Sequence, residues 1–201
     1  MIFEPADSAK QFSNYLSGDI TIGSGEHENE SVRLIRGSYS LVYTGDHFNF
    51  NPRVFGYGGN YEVSGLDKYD GNKSVFGLGA EVVGSLNLKF SSLKIGLGAS
   101  LGVSGEFGDY YDFRKQAENE GRISKDSQTI NFIISAFPVI AYELSENTIL
   151  STQMNIGIPG FISPSVVLNK DQYVYWLSWI PDREDRIDRF AIGFMINLDK
   201  F

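Results

Sequence analysis

The chain has 201 residues, enough for one domain with a sizeable interior, and carries a formal net charge of −8. That balance argues against nucleic acid as a partner, because phosphate binding needs a basic face. Cysteine is absent, which excludes disulfides, thiol nucleophiles and zinc-thiolate sites, while 22 Gly, 15 Phe and 11 Tyr against 6 Pro suit long strands better than helices.

No stretch approaches the run of about 20 apolar residues that a membrane helix needs. The first ten residues, MIFEPADSAK, lack the apolar core of a signal peptide. Residues 1–10 are read as a segment preceding the first strand, on a chain that either stays in the cytosol or is a mature form that has lost its signal. From residue 11 a period of two takes over, the mark of strands with two unlike faces. Strand one, 11–22, sets Phe12, Leu16, Ile20 and Ile22 against Ser13, Ser17, Asp19 and Thr21. Strand two, 32–44, sets Ile35, Tyr39, Leu41 and Tyr43 against Arg36, Ser38, Ser40 and Thr44. After a tight turn at Gly45-Asp46, strand three, 47–57, opposes Phe48, Phe50 and Val54 to Asn49, Asn51 and Arg53.

The clearest alternation is VFGLGAEVVGSLNLKFSSLKIGLGASLGVSGEF, residues 75–107. Even positions from Phe76 to Phe90 are mostly apolar; after Ser91-Ser92 the parity flips to Leu93, Ile95, Leu97, Ala99, Leu101 and Val103. Strand six, 129–144, alternates Ile130, Phe132, Ile134, Ala136, Ile140, Tyr142 and Leu144 with Thr129, Asn131, Ser135 and Glu143; Pro138 lacks a donor and is a local flaw, tolerable at a bulge. Ser145-Glu146-Asn147 turns into strand seven, and the last strand, 189–198, opposes Phe190, Ile192, Phe194, Ile196 and Leu198 to Arg189, Gly193 and Asn197. DYYDFRKQAENEG can form a short helix within a loop, and YVYWLSWIP can be a further strand or a loop-borne hairpin.

Connections after strands two, four and six are short. Those after three, five and seven, near 58–74, 108–127 and 159–188, are long and polar. Short turns therefore gather at one end and long loops at the other. Eight strands are expected, ten if YVYWLSWIP contributes a hairpin, with 11–201 forming a single barrel domain.

Alternation alone does not say which face meets lipid, since a soluble lipocalin-like barrel turns its apolar face inward around a ligand. Strand length favours a membrane, because spanning strands need about 9–11 residues. Aromatic residues also gather in two belts on the apolar face: Tyr43, Phe48, Phe50, Phe90 and Tyr142 near the short turns, Phe76, Phe107, Phe132 and Phe190 near the long loops. From Phe132 to Tyr142, ~3.3 Å per residue at ~40° tilt spans roughly 25 Å, the height of a membrane barrel's apolar band. The opposite face is Gly, Ser and Asn with a balanced ionic set, Asp19, Arg36, Arg53, Glu81, Glu106 and Arg189, which a narrow interior must pair. Arg36, Arg53 and Glu81 are expected in one internal network that plugs the lumen.

These features, with the closing RFAIGFMINLDKF, resemble the small eight-stranded outer-membrane β-barrel proteins of Gram-negative bacteria. The resemblance implies an all-β, closed, antiparallel up-and-down transmembrane barrel in the outer membrane, with residues 1–10 a periplasmic N-terminal segment, short turns periplasmic and long loops outside. It implies outer-membrane lipid and lipopolysaccharide as surroundings. Phe201 matches the terminal aromatic that marks such barrels for assembly, although Asp199 and Lys200 depart from the pattern and Phe201 is out of parity with Phe190 to Leu198.

Candidate chemistry is sparse. His27, in SGEHENES beside Ser24, Glu26 and Glu28, is the one catalytic candidate, since some outer-membrane barrels modify lipid A with His, Ser and a carboxylate. His47 reads as a turn residue. No His/Asp/Glu spacing suggests a metal, no cofactor is expected, and the Gly-rich stretches lack the context of a phosphate loop. Tyr110, Tyr111, Tyr173, Trp176 and Trp179 fall in the assigned outer loops, where a protein or glycan partner would use them. The expected role is a non-enzymatic membrane scaffold or binding protein of the cell envelope. The alternatives are a lipid A-modifying enzyme and a soluble lipocalin-like binder.

Overall fold

A computed structural model describes residues 11–24, 30–65, 67–121, 130–158, 162–181 and 188–200. The strands are β1 (Gln11–Ser24), β2 (Glu30–Thr44), β3 (Phe48–Val63), β4 (Gly71–Phe90) and β5 (Leu93–Phe107), then β6 (Ile130–Ser145), β7 (Thr148–Ile158), β8 (Ile162–Lys170), β9 (Tyr173–Ile180) and β10 (Asp188–Asn197). Each pairs antiparallel with its sequence neighbours, and β10 closes on β1 from Tyr15 opposite Asn197 to Ser24 opposite Asp188. The result is an up-and-down barrel with ten strands rather than eight.

The two further strands come from 159–188, which holds the β8–β9 hairpin instead of one long loop. Their alternation is blurred. β8 runs on through Pro164, which pairs with Met154, and turns Val167 inward; β9 turns Val174 and Trp176 inward while Tyr175, Leu177 and Trp179 face out, so both faces of β9 are apolar. The connection assigned to 58–74 also shrinks, since β3 runs on to Val63 and β4 begins at Gly71. Because two strands were added, the count stays even, and β1 begins at the same end at which β10 finishes.

The apolar face points outward. Leu97 is 65% exposed to the surroundings whereas Glu81, on the opposite face of the neighbouring strand, is 7% exposed. A soluble barrel built around an apolar ligand would reverse these values. Aromatic rings flank the outward surface at both ends: Phe12 lies 5.1 Å from Tyr43 and Phe48 6.3 Å from Phe50 near the short turns. Phe76 lies 6.0 Å from Phe107, and Trp179 6.5 Å from Phe190, near the other end. Phe90, Phe132 and Tyr142 are likewise exposed on the outer face.

The wall is uneven in height. At ~3.3 Å per residue and ~40° tilt, the 20 residues of β4 rise roughly 50 Å and the 8 of β9 roughly 20 Å. The raised wall of β3–β5 carries a helix, α1 (Asp109–Asn119), on its inner side. Phe113 and Ala117 of α1 pack with Val63 and Tyr69, and Tyr110 stacks on Tyr61 at 3.7 Å. Asp109 and Asp112 complement the helix N-terminus, and Asp109 accepts a 2.7 Å hydrogen bond from Ser74 Oγ. Gly108 precedes α1 at φ +120°, and a Cβ there would come within 2.6 Å of the Ser74 carbonyl, so the sharp entry into the helix needs glycine.

Proline leaves its own marks. Pro138 pairs with Leu97 on β5, but the β6–β7 ladder skips Phe137 and Pro138 and resumes at Val139 opposite Gln153. Along this ladder the register shifts further on, between Glu143 and Ser145. Pro52 opens the β2–β3 ladder in the same way, between Ser40–Arg53 and Tyr43–Phe50.

Candidate functional site: the barrel lumen

Strand register assembles the lumen from the polar face of each strand. One unbroken row of partners runs inward-facing from β9 to β5: Trp176, Gly193, Asp19, Arg36, Tyr57, Gly77 and Glu106. Within it the Arg36 guanidinium donates from Nε to Asp19 Oδ2 at 2.7 Å, and Thr21 Oγ1 donates to Asp19 Oδ1. The Tyr57 hydroxyl donates to Glu106 across the gap that Gly77 leaves open. A second pair stands nearer the short turns: Arg53 donates from Nη2 at 2.6 Å and Nε at 3.0 Å to the same Glu81 carboxylate oxygen. Arg36, Arg53 and Glu81 therefore belong to two separate ion pairs between adjacent strands, not one network. In each pair the acid lies against the wall and the arginine fronts the lumen: the Arg36 side chain is 36% exposed and that of Asp19 3%.

Arg189 stands apart. It faces inward on β10, opposite Gly23, within electrostatic range of Tyr57. Among the described residues it has no ion pair and its buried Nε meets no hydrogen-bond acceptor.

The half of the lumen near the short turns is packed solid by residues from every strand. Tyr15, Val42, Val167, Val174 and Met195 form one cluster from β1, β2, β8, β9 and β10, with Trp176 resting on it. Val139, Ala141 and Ile149 form another from β6 and β7. Asn49, Ser85 and Asn87 fill the β3–β4 side, and β5 supplies Gly96 and Gly98, whose missing side chains make room for Asn87 and Val139 and for the Phe137 ring. The plug was expected to be polar, and buried Ser and Asn supply much of it, Ser40, Asn49, Ser85, Asn87, Ser151 and Asn197 among them, with apolar clusters set between. Inward-facing Val and Ile were hidden in the sequence because isolated apolar residues on a polar face do not disturb its average character. At the rim, Glu143 binds Lys89 and Lys94 at 3.1 and 3.0 Å.

Four inward aromatics are fitted by one device. Phe55, Tyr57, Phe137 and Trp176 each face a glycine on the neighbouring strand, Gly79, Gly77, Gly98 and Gly193 respectively. Each ring lies flat where that glycine's Cβ would be, at 2.1–2.4 Å. The Gly-rich stretches thus serve packing.

The aromatic residues assigned to outer loops are dispersed. Trp176 is inside the lumen, Trp179 joins the outer aromatic belt, and Tyr173 opens β9 beside the short β8–β9 turn, at the opposite end. Only Tyr110 and Tyr111, on α1, remain at the outer mouth. His27 and Phe201 lie outside the described residues. His47 sits exposed in the β2–β3 turn, where its carbonyl accepts from the Asn87 amide at 2.8 Å. Among the described residues no group of His, Asp and Glu is arranged to hold a metal ion.

A closed even-stranded barrel with its backbone groups paired around the ring, a greasy exterior and aromatic rings at both edges is a transmembrane β-barrel of the outer-membrane type. No protein-family model matches the chain, and no curated protein matches its sequence. Among solved structures it is similar to an outer membrane channel from Pseudomonas putida F1, at 9% identity and a TM-score of 0.49, over 97% of this chain and 99% of that one. It is also similar to neisserial surface protein A (12% identity, TM-score 0.39, 93% and 97% of the two chains). A third is the outer membrane enzyme PagL (11%, 0.37, 90% and 99%).

Proposed function

We propose that this protein is a non-conducting outer-membrane barrel, a non-enzymatic scaffold that is sealed on the periplasmic side and binds partners at its outer mouth. One observation supports this reading above the rest: the close-packed layer near the short turns, to which all ten strands contribute. Ions do not cross a layer closed by Val, Ile and Met among buried Ser and Asn, because stripping their hydration costs more than those neutral groups return. Ten strands alone would leave a wider lumen than eight, so the extra space is filled by these side chains. On this reading lipid and lipopolysaccharide surround the wall, and Tyr111 on α1 is the aromatic residue that a protein or glycan partner outside would use, Tyr110 being stacked on Tyr61 and Phe113.

Planar-bilayer recording of the refolded protein tests the seal. A flat baseline over a wide voltage range is expected. Long-lived open steps from single barrels would overturn it.

A further inference from the structure

The outward apolar surface differs in height from one side of the ring to the other. On β4 it runs from Phe76 to Phe90, on β5 from Leu93 to Phe107 and on β6 from Ile130 to Leu144, each roughly 35 Å at ~3.3 Å per residue and ~40° tilt. On the far side it runs from Ile162 to Leu168 on β8 and from Tyr173 to Trp179 on β9, roughly 15 Å by the same rule. β10 and the residue after it carry it from Phe190 to Leu198, roughly 20 Å. Charge bounds this short wall at both ends: Lys170 and Asp171 at the β8–β9 turn, and the sequence DREDRID, residues 182–188, between β9 and β10 in the chain. Aromatic pairs mark its two edges, Tyr173 with Tyr175 and Trp179 with Phe190, as Phe76 with Phe107 marks the outer edge of the tall wall. Strands of one closed barrel share a tilt, so the ratio of about two to one between the walls holds whatever its value.

We propose that the barrel imposes an uneven thickness on the membrane around it, collecting short acyl chains against β8–β10 and long ones against β4–β6. A transmembrane barrel ordinarily presents an apolar band of about 25 Å. The tall wall exceeds that band by about 10 Å, and the short wall falls below it by about 5–10 Å. Tilting the whole cylinder does not remove the difference, because it raises one wall and lowers the other while both keep their lengths. Antiparallel ladders hold β4 to β6 and β8 to β10 together, so the lipid is the softer partner. Each ångström of mismatch costs a modest free energy, and that cost falls when chains of matching length gather beside each wall. The partner is thus a lipid class defined by acyl length, read by the height of the wall rather than by a pocket.

Trp179 stands in the outer belt of the short wall and reports on its lipid neighbours, whereas Trp176, the other tryptophan, faces the lumen. The full chain is refolded in dipalmitoleoyl-phosphatidylcholine vesicles holding a minor share of dimyristoleoyl- or dioleoyl-phosphatidylcholine brominated at the double bond. That bond lies at the same carbon in both chains, so the bromines quench tryptophan from matched depths. Trp179→Phe measures the Trp176 background. Trp179→Phe combined with Phe107→Trp moves the reporter to the outer belt of the tall wall, and heat-modifiable gel migration checks that each variant folds. The quenching ratio, short chain over long, is expected to be at least about 1.5-fold higher at Trp179 than at position 107. Equal ratios at the two walls, or a higher ratio at the tall wall, would overturn the proposal. Quenching by lipid is blind to the lumen, so this result and that of the seal are read independently.

Discussion

Gly98→Ala puts the aromatic-on-glycine packing of the lumen to a quantitative test. The added methyl would sit 2.3 Å from two atoms of the Phe137 ring and 2.8 Å from the Gly84 carbonyl, well inside contact distance. Phe137 is buried in the packed half of the lumen and cannot swing away. Overpacking of this kind costs about 1–3 kcal/mol, and contact with both a ring and a backbone oxygen points to the upper end, about 2–3 kcal/mol. Phe137→Leu alone opens space and costs about 1–2 kcal/mol. Combined, the shorter side chain makes room for the methyl, so the double variant should be more stable than the sum of the two losses by about 1 kcal/mol or more. Gly37→Ala is the control: it faces outward, with its nearest neighbour at an ordinary 3.8 Å, and should change stability by less than about 0.5 kcal/mol. Urea unfolding in lipid vesicles, followed by tryptophan fluorescence and gel migration, measures all four. A neutral Gly98→Ala, or strictly additive losses, would refute the packing argument.

Arg53→Met strands the buried Glu81 carboxylate and should cost about 2 kcal/mol in the same unfolding assay, less than a fully buried pair because the guanidinium is partly solvated; adding Glu81→Gln should recover most of the loss. At the barrel's closing seam, Asp199 accepts from the Asn14 amide at 2.7 Å and from Asn14 Nδ2 at 2.9 Å, and these bonds hold its pKa below the ordinary 3.8. A depressed carboxylate pKa stabilises the folded form above its unfolded value and loses that contribution as pH falls through the folded one. The Asn14 amide should therefore be protected from hydrogen exchange at neutral pH and lose protection only below about pH 3.8, and Asp199→Ala should abolish the protection at every pH.

The outward face was legible because period-two alternation survives in strands with one consistently apolar side: β4 and β5 read directly from Phe76 to Val103. β8 and β9 were illegible for the converse reason, since Val167, Val174 and Trp176 turn inward and erase the contrast between faces. Asp19–Arg36 and Arg53–Glu81 are direct register partners, so knowing the turns predicts each pair; a shared network of Arg36, Arg53 and Glu81 does not follow from register, because Arg36 stands opposite Tyr57 on β3. Tyr57 was missed although its setting carried a signal, an inward aromatic between Gly56 and Gly58. Its role depends on facing Gly77 and reaching Glu106 beyond it, a relation across three strands that no local pattern encodes.

The seal is tested most directly by recording currents from the wild-type barrel beside a variant with Ile149 and Val174 both replaced by glycine, in the same bilayers and salt. Silence from the wild type and discrete steps from the trimmed variant are the predicted pair of results. Steady wild-type conductance, unchanged by the trimming, would contradict the account.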